Sequence, residues 1–135
     1  MRLKSSSRLT AAVMATAALT LAGAPSALAT VTVSVDPDGK LKGTTAILRV
    51  TVTCDAGDQV LEANLTLSQD DQAISGTGGI PGVRCDGRPH KSTVRVTAQN
   101  GTFHTGAASA SAFVLVLEPA GTTEQGQASQ TVNLR

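Results

Sequence analysis

Apolar and polar residues alternate with a period of two in several stretches of the chain, beginning with Val31, Val33 and Val35. This period places one set of side chains on one face of a β-strand, so each stretch predicts a strand with one buried face. Three further strands have predicted inward-facing sets: Leu48, Val50, Val52 and Cys54; Leu61, Ala63, Leu65 and Leu67; and Val94, Val96 and Ala98. The pattern therefore predicts an all-β domain.

The remaining segments fit the same class. Residues 107–117 end in the apolar run Phe113–Leu117, and its β-branched and aromatic residues favour a strand over the helix that the Ala-rich start would allow. Residues 72–77 predict a weaker strand, and the glycines from Gly76 to Gly82 predict a flexible stretch after it. For residues 129–134 the pattern does not decide between a last edge strand and an irregular segment. Turns are predicted at Asp36–Gly39, Asp55–Asp58, Gln69–Asp71, Asp86–Pro89 and Asn100–Gly101.

Seven or eight short strands, separated by turns at intervals of about ten residues, predict an antiparallel two-sheet sandwich with immunoglobulin-like topology. The chain has no Trp, no Tyr and only two Phe, Phe103 and Phe113. The predicted core is therefore mostly aliphatic.

The first 29 residues have the pattern of a cleavable signal peptide. Arg2, Lys4 and Arg8 precede an apolar run, and Ala27–Ala29 provides the small residues of a cleavage site. We expect residues 1–29 to be removed and residues 30–135 to form the β-sandwich domain, secreted to the extracellular space. No later apolar stretch reaches the roughly 18 residues of a membrane span, so we expect no membrane insertion after signal cleavage.

Removal of the signal changes the charge balance. Three of the eleven Lys and Arg residues lie in the first 29, which leaves eight against ten Asp and Glu, a formal net charge of −2. Nucleic acids and anionic membranes are bound by clustered Lys and Arg, and the sequence gives no sign of a basic patch. We therefore expect no nucleic-acid partner.

Cys54 and Cys85 both lie in the part of the chain expected to reach an oxidising compartment, which predicts a disulfide between them. The alternative is a zinc site with His90 and His104. It is disfavoured because the cysteines form no C-x-x-C pair.

The sequence shows no catalytic or cofactor motif. There is no G-x-S-x-G; His90 follows a predicted turn, His104 lies in a predicted loop, and both are interpreted as solvated or capping residues. Asp36–Gly39 starts like a calcium loop but lacks the later ligands, and Pro81 interrupts the phosphate-loop pattern that Ser75 begins. We expect no catalytic, cofactor-binding or metal-binding residues.

Three segments, Val50–Cys54, Val83–His90 and Thr93–Val96, together with the turn and strand from Phe103 to Ala112, resemble small secreted β-sandwich proteins of actinobacteria. The resemblance implies an immunoglobulin-like fold and carries no assigned functional residue. The chain is also similar in architecture to the apoproteins that carry enediyne antibiotics. Those proteins have two disulfides and an aromatic-lined cleft, whereas this chain has two cysteines and two Phe.

These observations favour a secreted, non-enzymatic module that binds a protein or a cell-envelope component. A partner strand could add at Val31–Val35 or at residues 129–134. The alternative is a small-molecule carrier or a weak hydrolase that uses the Gly76–Gly82 loop with His90 nearby.

Overall fold

A computed structural model describes residues 31–135, and all regular secondary structure in this range is β-strand. The expected signal peptide, residues 1–29, lies outside the described residues. The strands are β1 (Thr32–Val35), β2 (Asp38–Lys42), β3 (Thr45–Thr53), β4 (Gln59–Gln69), β5 (Ile74–Gly79), β6 (His90–Thr97), β7 (Gly106–Leu117) and β8 (Thr123–Leu134). The all-β prediction is confirmed.

The eight strands form one mixed sheet in the order β1-β3-β2-β8-β7-β4-β5, and β6 pairs with β3. Strand β3 is central to one part: β1 pairs with Val50–Thr53, β2 pairs with Thr45–Ile47, and β6 pairs along Thr45–Val52. All pairs are antiparallel except β2 with β8, where Asp38 and Gly39 run parallel to Asn133 and Leu134. Residues 129–134 thus belong to a longer strand whose end is paired on both sides.

One hydrophobic core collects the inward side chains of β3, β6, β4, β7 and β8. The predicted inward sets of β3 and β6 are confirmed, because Leu48, Val50, Val52, Val94 and Val96 are at most 1% exposed. Each such side chain contributes about 1.5–3 kcal/mol by leaving water. Phe103 joins this core, whereas Phe113 does not.

Strand β2 was not expected, because Asp36–Gly39 reads as a turn. In the structure Asp38 and Gly39 already belong to β2 and pair with β8. A Cβ at Gly39 would lie 3.0 Å from Leu134 Cδ2, so glycine allows the close approach of the two strands. The turn residues are therefore used for packing.

The prediction that Leu61 faces the core is wrong. A β-bulge between Val60 and Glu62 adds one residue to β4, and Leu61 is 47% exposed. A bulge shifts the alternation by one position where it occurs. Beyond the bulge the alternation is as predicted, so Leu65 and Leu67 are buried.

The weaker strand predicted at residues 72–77 corresponds to β5, but β5 continues to Gly79, so the prediction of a flexible stretch at Gly76–Gly82 is wrong in its first half. Gly76 and Gly78 lie inside β5, where a Cβ would be 2.4 Å from Thr97 O and from Arg95 O respectively. These glycines let the backbone of β5 lie directly against that of β6. These glycines serve close packing. The sequence of the segment alone does not distinguish glycines that allow close packing from glycines that make a loop flexible.

The predicted disulfide between Cys54 and Cys85 is confirmed, with 4.6 Å between the Cα atoms. It ties the end of β3 to the segment between β5 and β6, and the N–H of Gly87 donates to the carbonyl of Cys54 at 2.8 Å. Both sulfurs are used, so the zinc alternative is excluded. A disulfide indicates a non-cytoplasmic protein. Residues 31–135 contain no helix that could cross a membrane.

Candidate binding site

The outward side of β2, β3 and β6 carries most of the positive charge of the described domain. Six of the eight Lys and Arg residues that follow the expected signal peptide lie on or beside it; they are Lys40, Lys42, Arg49, Lys91, Arg95 and Arg135. The acidic residues here are Asp36 and Asp38. We call this surface the basic face; its formal charge is +4, on a domain with a net charge of −2.

Strand register explains the clustering. Residues directly opposite each other in antiparallel strands point to the same side, and Ile47 of β3 lies opposite Lys40 of β2 and Arg95 of β6. The alternation of side chains along β2 brings a further cation to this side. The side chain of Leu41 packs against the core, so those of Lys40 and Lys42 point outward. Cations that are distant in sequence thus become neighbours.

The spacing of these charges follows from the sheet. Adjacent strands are about 4.8 Å apart, and same-face neighbours along a strand are separated by roughly 7 Å. Two unit charges 7 Å apart repel by about 0.6 kcal/mol in bulk water. Each uncompensated pair therefore favours an anion that bridges it.

Two of the six cations are paired. Arg135 Nη2 lies 3.0 Å from Asp38 Oδ1, and Lys91 Nζ lies 3.5 Å from Asp36 Oδ2. Within residues 31–135, the other four make no ion pair; they are Lys40, Lys42, Arg49 and Arg95, and all four are exposed. These four groups are available to a ligand.

A cleft of about 740 Å³ runs across the basic face. It is lined by four cations, by two carboxylates and by neutral residues; they are Lys40, Lys42, Arg49 and Arg135, Asp36 and Asp38, and Gly39, Leu41, Ile47 and Thr93. The cleft combines cationic groups with a partly apolar floor. It is suited to a chain that carries anionic groups on an organic backbone.

Sequence reasoning missed this surface. The expectation that Lys and Arg are not clustered is wrong, because it rested on the net charge and on neighbours along the chain. A usable signal was present in the period of two: Lys40 and Lys42 alternate with Leu41, as do Lys91, Thr93 and Arg95 with the residues between them. This pattern places the cations on one side of each strand.

The two histidines lie at separate places. His90 begins β6, and its Nε2 is 2.8 Å from Asp86 Oδ1 and 2.9 Å from Asp86 Oδ2. This contact, followed by the N–H of Arg88, holds the pKa of Asp86 below its ordinary value. The pair fastens the turn that follows Cys85.

His104 is held by two acceptors. Its Nδ1 lies 2.9 Å from the carbonyl oxygen of Thr105, and its Nε2 lies 3.0 Å from Asp70 Oδ2. An imidazolium can donate to both, so the carbonyl first and the carboxylate second raise the pKa of His104. His104 thus joins the loop before β7 to the β4–β5 turn.

Gln69, expected in a turn, is the buried end of β4 and is 3% exposed. Its Nε2 donates to the carbonyl of His104 at 2.8 Å, and its Oε1 accepts from the N–H of His104 at 2.9 Å. The turn itself follows, with φ values of 53°, 54° and 72° at Asp70, Asp71 and Gln72. Gln69 therefore positions the loop that contains His104, and the sequence around Gln69 does not predict this role.

The Asp55–Asp58 segment forms the predicted turn, in which the N–H of Asp58 donates to the carbonyl of Asp55. Asp58 Oδ2 is buried and makes no hydrogen bond. Desolvation, followed by repulsion from Asp55 and Glu118, raises the pKa of Asp58. Nowhere in residues 31–135 do three His, Cys, Asp or Glu side chains meet in a group that could hold a metal ion.

Comparison with known proteins gives no family assignment: no protein-family model matches the chain, and no curated protein sequence matches it.

Proposed function

We propose that this protein is secreted after loss of residues 1–29, and that residues 30–135 form an immunoglobulin-like sandwich that binds an anionic polymer of the cell envelope. The basic face is the binding surface. The module acts by binding and catalyses no reaction.

Strand pairing supports the sandwich. Strands β1 and β6 pair with β3, strands β8, β7, β4 and β5 pair in that order, and β2 joins the two groups through β3 and β8, which is compatible with two layers. A strand near the N-terminus that pairs with strands of both groups, as β2 does, is compatible with immunoglobulin-like topology. The disulfide is consistent with export.

One observation carries the choice of ligand: four unpaired cations share one sheet face in a domain that is acidic overall. Repulsion between two of these charges 7 Å apart costs about 0.6 kcal/mol in bulk water, and a bound anion would relieve it. A surface of one sign also attracts oppositely charged ligands over distance and suppresses the binding of cations.

The spread of the charges favours a polymer over a small ion. The backbone positions of the four unpaired cations lie on three strands at separations of roughly 7–14 Å, so no single phosphate or carboxylate could contact all four. A cell-envelope polymer is favoured over single-stranded nucleic acid because the basic face has no aromatic ring on which a base could stack. Phe103 is buried, and Phe113 lies on β7.

The alternative of a small-molecule carrier or hydrolase at the Gly-rich segment has no comparable support. Gly76 and Gly78 are packed within β5, and the His90 imidazole contacts the Asp86 carboxylate. No observation favours a reaction there.

The proposal is tested by titrating the exported protein with sodium polyphosphate and with polygalacturonate, which distinguish phosphate from carboxylate polymers. Dextran serves as a neutral polymer and duplex DNA as a nucleic-acid control. We expect binding to one or both envelope-like polyanions that weakens as salt rises, and none to dextran. Preferential binding to DNA, or no binding at low salt, would contradict the proposal.

A matched pair of variants separates the basic face from net charge. Lys40→Glu/Arg95→Glu and Arg84→Glu/Arg88→Glu change the net charge equally, but Arg84 and Arg88 lie in the segment before β6. We expect the first variant to weaken polyanion binding at least tenfold and the second by no more than about threefold. Equal losses would show attraction to overall charge only.

A further inference from the structure

The outward side of β4, β7 and β8 differs sharply from the basic face, and we call it the neutral face. Along β7, Phe113, Leu115 and Leu117 alternate with the buried Val114 and Val116. These three side chains are half-buried and are not part of the core cluster. They form an apolar ridge on the outside of the sheet.

Leu61 lies beside this ridge, and the bulge in β4 exposes it. Its neighbour Glu62 pairs with Leu115 of the ridge. Leu61 is the one large hydrophobic residue within 31–135 that is classed as exposed. Leu61 thus extends the apolar surface of the ridge, and contiguous apolar surface of this kind is a feature of interaction sites.

A groove lies next to the ridge along the same strands. Small hydroxyl side chains form rows across the sheet: Thr66, Ser111 and Ser129 are adjacent, as are Ser68, Ser109 and Thr131. These residues line a shallow depression of about 650 Å³. One continuous face thus carries a projecting apolar part and a recessed hydroxyl part.

Charge limits what can cover this face. None of the eight Lys and Arg residues after the expected signal lies among the outward residues of β4, β7 and β8, and Glu62 is the one acidic residue there. Glu62 Oε2 already accepts a hydrogen bond from Asn64 Nδ2 at 2.9 Å. Two copies of this face would therefore meet without the repulsion that two basic faces would suffer.

We propose that the neutral face is the interface between two copies of this chain. A two-fold axis that lies in the interface and crosses β7 at right angles near Ala112 would place each ridge over the groove of the other copy. Such a self-complementary contact satisfies the requirement of a closed dimer. Because the ridge and the groove lie along the same strand β7, the face is complementary to a second copy of itself, which we therefore infer to be its partner.

Sedimentation of the exported protein over about 1 to 300 µM tests this, with a dimer expected at twice the monomer mass and a dissociation constant in the micromolar range. Leu61→Ser removes the exposed leucine beside the ridge, and Ser129→Lys places a charge in the groove. Thr32→Lys on β1 is the matched control, because Thr32 is also an exposed strand hydroxyl. We expect at least tenfold weaker dimers for the first two variants and no change for the control.

Circular dichroism verifies that the variants fold. A protein that stays monomeric over this range, or a dimer that tolerates both Leu61→Ser and Ser129→Lys, would overturn the proposal. A monomer whose Phe113 and Leu115 NMR signals shift on addition of a neutral glycan would assign the face to sugar binding and would likewise overturn it. These outcomes are independent of polyanion binding by the basic face.

Discussion

The contact of β5 with β6 gives a sharp test of the packing, because Gly78 and its neighbour Gly79 occupy very different surroundings. A Cβ at Gly78 would lie 2.4 Å from the Arg95 carbonyl oxygen and 3.2 Å from Val96 Cγ2. The nearest atom to a Cβ at Gly79 is Ala63 O at 4.0 Å. Gly78→Ala is thus the perturbation, and Gly79→Ala is its control in the same strand.

The magnitude follows from this geometry. Backbone must move by at least about 0.6 Å before the new Cβ reaches even a 3.0 Å contact, and overpacking of this kind costs about 1–3 kcal/mol. We expect Gly78→Ala to lower the free energy of unfolding by about 2 kcal/mol, which for a domain of this size lowers Tm by roughly 8–16 °C. We expect Gly79→Ala to change it by less than about 0.5 kcal/mol.

Urea unfolding followed by far-UV circular dichroism measures both values, since the chain has no Trp or Tyr for a fluorescence signal. If Gly78→Ala is as stable as Gly79→Ala, β5 does not lie against β6 as described. The reasoning that glycine is selected there for close approach would then fail.

Two further predictions concern covalent and electrostatic terms. The Cys54→Ala/Cys85→Ala variant should lose about 3.7 kcal/mol of unfolding free energy, because the bridge spans a sequence separation of 31, and a loss below about 1 kcal/mol in denaturant would contradict this. Asp58→Asn should raise Tm at pH 7, because burial raises the pKa of Asp58 and ionisation of the wild-type carboxyl disfavours the fold. This penalty develops as pH rises from the unfolded to the folded pKa, so the Tm difference should shrink on acidification, and a difference independent of pH would refute the assignment.

The sequence correctly predicted the strands in which every second residue is buried without interruption. In β3 and β6 the apolar positions alternate without interruption, so Leu48 and Val94 reach the core as expected. In β4 the alternation is equally clear, yet Leu61 is exposed because one inserted residue shifts the register. A bulge depends on the partner strand and is therefore invisible in a single segment.

Long-range contacts explain the other differences. Glycines have the same local signature whether they loosen a loop or admit a neighbouring backbone, and the contact of Gly76 with Thr97 decides between the two. The basic face also depends on contacts between residues that are distant in sequence. Lys40, Arg49 and Arg95 become neighbours only through the pairing of β3 with β2 and β6, which net charge does not report.

The most direct test of the central claim is an amide NMR titration of the exported protein with short-chain polyphosphate. If the basic face is the binding surface, the shifted amides should lie in β2, β3 and β6 and near Arg135, and the Lys40→Glu/Arg95→Glu variant should lose these shifts. Shifts confined to β4, β7 and β8, or spread evenly over the domain, would contradict the account.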